Sequence, residues 1–161
     1  MFYIRNATFE ILGTHEDIYP KDFTTNGMNA STIMYRMEVG GQTTMWLGDA
    51  AEITGDVALE QFGDYLKSDI MQIAHHGGPG GTVRLYERIN PEYCLYPLPR
   101  ECYQISYEPT KWACVDSENV KLVIVSGFGT STIKLPFAVT EGKYNKLPPY
   151  TRGGGTPTTF E

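Results

Sequence analysis

The stretch "SDIMQIAHHGGPGG", residues 68–81, decides how the rest of the chain is read. An apolar run from Ile70 to Ala74 stops at two adjacent histidines, His75 and His76, and passes into a glycine-rich loop. A short apolar run bounded by turn signals reads as a buried strand. The whole chain has three histidines, so two of them side by side at a strand end ask for a chemical role rather than a packing one.

Upstream of this stretch, "AAEITGDVALEQFGDYLK" sets Ile53, Val57, Phe62 and Leu66 at near-helical spacing, which predicts an amphipathic helix with an imperfection at Gly55. Before it, "STIMYRMEVGGQTTMWLGDA" alternates Ile33, Tyr35, Met37 and Val39 with Thr32, Met34, Arg36 and Glu38. It turns at Gly40-Gly41 and returns through Thr44 to Leu47, a hairpin whose second strand ends at Gly48-Asp49. Residues 2–12, "FYIRNATFEIL", read as one or two strands, and the Gly, Pro, Asn and Thr that follow, around His15, read as a long loop.

Downstream, "TVRLYERI" predicts a short helix closed by Asn90-Pro91, and "EYCLYPLP" a strand ended by its prolines. "VKLVIVSG" and "TSTIKLPF" predict a second hairpin around "GFGT". The order strand, hairpin, helix, strand, helix, strand, hairpin predicts an α/β fold: a mixed β-sheet with helices on one face. Residues 1–150 form one domain, and residues 151–161, "TRGGGTPTTFE", have the composition of a flexible polar tail.

At 161 residues the chain has room for one core and so for one site. No apolar run is long enough to span a bilayer and the opening lacks a signal-peptide core, so the expected address is cytoplasmic. A net charge of −6 argues against binding nucleic acid through phosphate neutralisation. Any phosphorylated substrate would need a metal to meet it. Cys94, Cys102 and Cys114 are odd in number and form no C-x-x-C pair, which predicts free, mostly buried thiols.

Asp49 and the His75-His76 pair end two strands separated by one helical crossover. Such a crossover makes the strands parallel neighbours and brings the two ends to one sheet edge, the usual address of a site in α/β structures. A carboxylate and an imidazole suit zinc, manganese or iron, which makes Asp49, His75 and His76 candidate metal-binding and catalytic residues. Gly77 and Gly78 open "GGPGG", which lacks the Lys-Ser/Thr of a phosphate loop and reads as a substrate-facing loop or as a tight connection to the next helix. The competing readings make Asp49 the N-cap of the following helix and the histidines structural.

The segments "NASTIMYRMEVGGQTTMWLGDA" (29–50) and "LKSDIMQIAHHGG" (66–78) resemble the second half of the metallo-β-lactamase-fold hydrolases, especially the hydrolase domain of DNA-uptake competence proteins. The likeness runs from about Phe9 to Phe137 and is specific in Gly48-Asp49 and His75-His76-Gly77. It implies the C-terminal half of an αββα sandwich. In the intact enzyme, a dinuclear zinc or manganese site would hydrolyse an ester, amide or phosphodiester by metal-bound hydroxide. Asp49 would bridge the ions, with His75, the favoured choice, or His76 completing the second. The family's H-x-H-x-D-H motif has no counterpart here, and His15 reads as an exposed loop residue. The resemblance therefore implies half of a site, inactive alone. A half sandwich with one bare sheet face implies a partner: the N-terminal half, or a second copy in a face-to-face homodimer. Two other readings stay open. One is a non-catalytic interaction module; the other is a metal-binding protein whose site is completed by His15, a cysteine or a second subunit.

Overall fold

The computed structural model describes residues 1–14, 27–99, 102, 108–138 and 158–160. Seven strands form one mixed sheet in sequential order: β1 (Phe2–Ile4), β2 (Ala7–Gly13), β3 (Met34–Val39), β4 (Gln42–Trp46), β5 (Ile70–Gln72), β6 (Tyr93–Tyr96) and β7 (Leu122–Val125). The first four pair antiparallel, and β4 through β7 pair parallel. The class is α/β, as the alternation of elements predicts. The helices are α1 (Gly27–Ala30), α2 (Glu52–Phe62), α3 (Val83–Ile89) and α4 (Glu108–Thr110), the last running into a wide turn over Lys111–Val115.

Two helical crossovers set the first two parallel pairs. Helix α2 carries the chain from β4 to β5, and α3 carries it from β5 to β6. The Thr82 hydroxyl caps α3 by accepting from the Leu85 amide at 3.1 Å, and Asn90 closes it in the left-handed conformation ahead of Pro91. Asp69 pins β5 to β4: its carboxylate accepts from the Thr43 amide at 2.7 Å and the Thr43 hydroxyl at 2.9 Å.

Residues paired across a sheet share a face, so the register sorts the two sides. On one side Met45, Met71 and Cys94 lie in register and pack with Ala58 of α2 and Leu85, Tyr86 and Ile89 of α3, all buried in one cluster. Burial raises the Cys114 thiol well above its ordinary pKa, and a hydrogen bond with Cys94 adds to this. All three cysteines are free thiols, with Cys94 and Cys114 buried and Cys102 half-buried.

On the opposite side an unbroken row runs from edge to edge: Phe2, Phe9, Met37, Thr44, Ile70, Tyr93 and Leu122. Here a second cluster forms only over the parallel half, where Ile70, Tyr93, Leu122 and Ile124 meet Phe137. The expected second hairpin is not what the chain makes. After β7, a turn at Ser126–Phe128 and Gly129 carries the chain off the sheet edge and back across this face. Gln42 holds it there, donating to the Phe137 carbonyl at 2.6 Å and accepting from the Phe137 amide at 2.7 Å. Strand β8 (Ser131–Ile133) therefore pairs not with β7 but in parallel with β9 (Thr158–Phe160), which falls within the expected polar tail. The physical reason is that an alternating segment looks the same whichever neighbour it joins, and Gln42 and Tyr93 supply the contacts that decide it. No helix among the described residues is long and apolar enough to cross a membrane.

Candidate functional site

Strands β4 and β5 end side by side, and a buried amide welds their ends. The Gln72 side-chain oxygen accepts from the Leu47 amide at 3.0 Å and the Gly48 amide at 2.7 Å. Its nitrogen donates to the Gly48 carbonyl at 3.3 Å and to the Ile73 carbonyl. The His75 amide donates to the same Gly48 carbonyl at 3.0 Å. Gly48 sits at φ +54, where a side chain would strike the Thr32 hydroxyl that caps the Asp49 amide at 3.2 Å. The loop bearing Asp49 and the loop bearing the histidines are thus one hydrogen-bonded unit.

Both histidines adopt left-handed backbone angles, His75 at φ 48, ψ 44 and His76 at φ 52, ψ 25, and Gly77 follows at φ 74. For a residue with a Cβ this conformation costs about 1–2 kcal/mol, and such strain gathers at functional sites. The turn closes through the Gly78 amide, which donates to the His75 carbonyl at 2.8 Å. Gly77 is buried against Tyr96, and Gly78 is half-buried.

The two imidazoles have different fates. His75 is committed on both sides. Its Nδ1 lies 3.1 Å from the Pro79 carbonyl, which can only accept, so Nδ1 carries the proton; its Nε2 then accepts from the Asn29 amide at 3.2 Å. His76 also donates through Nδ1, to the Pro97 carbonyl at 2.6 Å. That leaves His76 Nε2 facing Asp49 Oδ1 at 3.6 Å, where it pairs with the carboxylate when protonated and offers a lone pair when neutral. A backbone carbonyl holding one ring nitrogen so that the other can ligate is how metal-binding histidines are oriented.

The Asp49–His76 separation suits one ion. Two ligands each about 2.1 Å from a tetrahedral zinc stand about 3.4 Å apart, close to the 3.6 Å observed. The side chains are 45% and 61% exposed, so an ion could reach them. Among the described residues no group of three His, Cys, Asp or Glu side chains could hold a metal, so the pair is two ligands and not a closed site. His15, the remaining histidine, lies outside the described residues.

The reading of Asp49 as a helix cap fails: α2 begins at Glu52, its capping position is Ala51, and no side chain caps it. Ahead of β3, Ser31 forms a turn, donating to the Met28 carbonyl at 2.7 Å, whereas Asn29 reaches His75. Gln72 and Pro97 were not singled out. A lone amide in an otherwise apolar central strand was the signal for Gln72, since a buried amide must find partners; Pro97 acts through its backbone, for which a sequence carries no signal.

Comparison with models of known protein families, with curated proteins and with solved structures finds no match for this chain.

Proposed function

We propose that this chain is the C-terminal half of a metal-dependent hydrolase of the metallo-β-lactamase type, with Asp49 and His76 supplying two ligands to a divalent zinc or manganese ion. The observation that carries this reading is the meeting of His76 Nε2 and the Asp49 carboxylate at the adjoining ends of two parallel strands, 3.6 Å apart. A bound ion would supply Lewis acidity and an acidified water for attack on an ester, amide or phosphodiester. The chain's own part is to hold the ligands. Gln72 fixes the Asp49 loop against the histidine turn, and the Pro97 carbonyl holds the His76 proton on Nδ1. His75, bonded to Asn29 and Pro79, positions that turn. Gly78 is the glycine with surface to offer a substrate, since Gly77 is buried.

Two ligands are fewer than the three that a catalytic zinc takes from its protein, so by itself this pair should bind metal weakly and hydrolyse slowly or not at all. The remaining ligands would come from an N-terminal half or another subunit. Calorimetric titration with zinc and with manganese tests the reading. Binding in the micromolar range or weaker is expected in the wild type, falling at least tenfold in Asp49→Ala and in His76→Ala. His75→Ala should bind less well only to the extent that the turn loosens. Equal binding by wild type and both ligand variants would reject the assignment.

A further inference from the structure

The segment that returns from β7 leaves a groove of about 710 Å³ between itself and the sheet. Thr44, Trp46, Ile70 and Leu95 belong to its sheet side, and Ile133 and Leu135 of the returning segment wall it. Small-molecule sites are mostly apolar hollows of about 300–1,000 Å³ with a few placed polar groups, and this groove has that size and make-up. Among the described residues no Asp, Glu, Lys, Arg or His lines it, so neither Asp49 nor His76 does.

Two of its polar groups are left without a use inside the chain. Thr44 is 2% exposed, and Trp46 follows it two residues along β4, so both side chains stand on the grooved face. Thr44 Oγ1 and Trp46 Nε1 are buried, yet neither has a hydrogen-bond partner among the described residues. Gln72, also in the lining, is the contrast: its amide is spent on the Leu47 and Gly48 amides and the Gly48 and Ile73 carbonyls. Buried polar groups are nearly always paired, so an orphaned pair on one cavity floor asks for an explanation. The Trp46 indole is also fixed in place, stacked on Tyr35 with centroids 5.8 Å apart. Its N–H is a donor already positioned for an acceptor.

We propose that this groove binds an uncharged, elongated apolar small molecule, anchored by a carbonyl oxygen that accepts from Trp46 Nε1. The lining selects that chemistry. An indole N–H can only donate, so the ligand must bring an acceptor, and the Thr44 hydroxyl can serve a second polar atom. A charged ligand would lose its water with no opposite charge to meet it, so the ligand is neutral. The groove is bounded by the chain's own segment, tied down where Gln42 bonds both the amide and the carbonyl of Phe137. What remains is a slot for a small molecule rather than a bed for a folded layer. This binding needs no metal and stands apart from the reading of Asp49 and His76.

Fluorescence titration of the full chain with prodan, an uncharged naphthyl ketone whose emission moves to the blue in apolar surroundings, tests the proposal. A chelator in the buffer keeps metal at the Asp49–His76 pair out of the measurement. The wild type should bind prodan saturably in the micromolar range, and acetylnaphthalene should displace it. Ethylnaphthalene, which lacks the oxygen, and naphthoate, which adds a charge, should each bind about tenfold more weakly or worse than acetylnaphthalene. Trp46→Phe keeps an aromatic ring and removes a donor that has no partner, so it should fold as the wild type does by circular dichroism. It should bind the ketones about tenfold more weakly while binding ethylnaphthalene as before. Ile133→Trp, which fills the groove from its wall, should abolish binding of prodan. The ligand series on the wild type decides the question even where a variant folds poorly. No binding of prodan by the wild type up to its solubility limit would overturn the proposal, as would equal binding of acetylnaphthalene and ethylnaphthalene or a preference for naphthoate. So would binding that Trp46→Phe and Ile133→Trp leave unchanged, which would place the probe elsewhere, such as on the exposed apolar residues of β1.

Discussion

Gly77→Ala is expected to destabilise the fold by about 3–5 kcal/mol in chemical denaturation, combining a left-handed backbone penalty with overpacking. Gly77 stands at φ 74, and a Cβ there would overlap the Oη, Cε2 and Cζ atoms of Tyr96. Tyr96 has no room to yield, being 1% exposed in the main core. The damage should not stay local. Gly77 directly follows His76, so a turn that moves to clear Tyr96 carries the imidazole off the Pro97 carbonyl and away from Asp49. Gly78→Ala is the control. Its φ of −76 suits any residue, and an added Cβ meets the His75 carbonyl at 3.1 Å and its Nδ1 at 3.9 Å, so a loss of about 1 kcal/mol is expected. Equal effects of the two substitutions would mean that the turn is not packed as described.

Gln72→Leu should cost about 2–5 kcal/mol, a large loss for a substitution that keeps volume and adds apolar surface. Leucine leaves the Leu47 and Gly48 amides without the oxygen that accepts from both, and the Ile73 carbonyl without its donor. Each buried polar group orphaned in this way costs about 1–3 kcal/mol. The offset from leucine's better burial is about 1 kcal/mol. Metal binding by Gln72→Leu should fall along with stability, because the amide is what holds the Asp49 loop to the histidine turn. A variant as stable as the wild type in denaturant titration would show that the strand ends are held by something other than this side chain.

These two residues also mark what a sequence displays and what it hides. The sheet was legible where pattern and punctuation agreed. Alternation around Gly40-Gly41 gave the β3–β4 hairpin, and the apolar run before the histidines gave β5. The intervening helix gave their parallel pairing and so the meeting of Asp49 with the histidine turn. The β7–β8 hairpin was misread because period-two alternation identifies a strand but not its neighbour; the long-range pull of Gln42 on Phe137, ninety-five residues apart, decides that. The choice between His75 and His76 was illegible for the same reason. It turns on the Pro79 and Pro97 carbonyls and on Asn29, all brought in by folding. The resemblance favours His75, whereas the proposal assigns the ligand to His76, whose Nε2 faces Asp49. Nor does a sequence rule foresee two consecutive left-handed histidines, since residues with a Cβ adopt that conformation uncommonly even where, as for histidine, they are enriched in it.

The chemistry of the proposal rests on one atom, the Nε2 of His76 that faces Asp49. Long-range proton–nitrogen NMR of the imidazoles, recorded on the full chain near neutral pH with and without zinc, reads it directly. The account predicts that both His75 and His76 carry their proton on Nδ1, and that zinc moves the Nε2 resonance of His76 while that of His75 stays in place. A His76 protonated on Nε2, or a zinc response confined to His75 or absent from both, would contradict it.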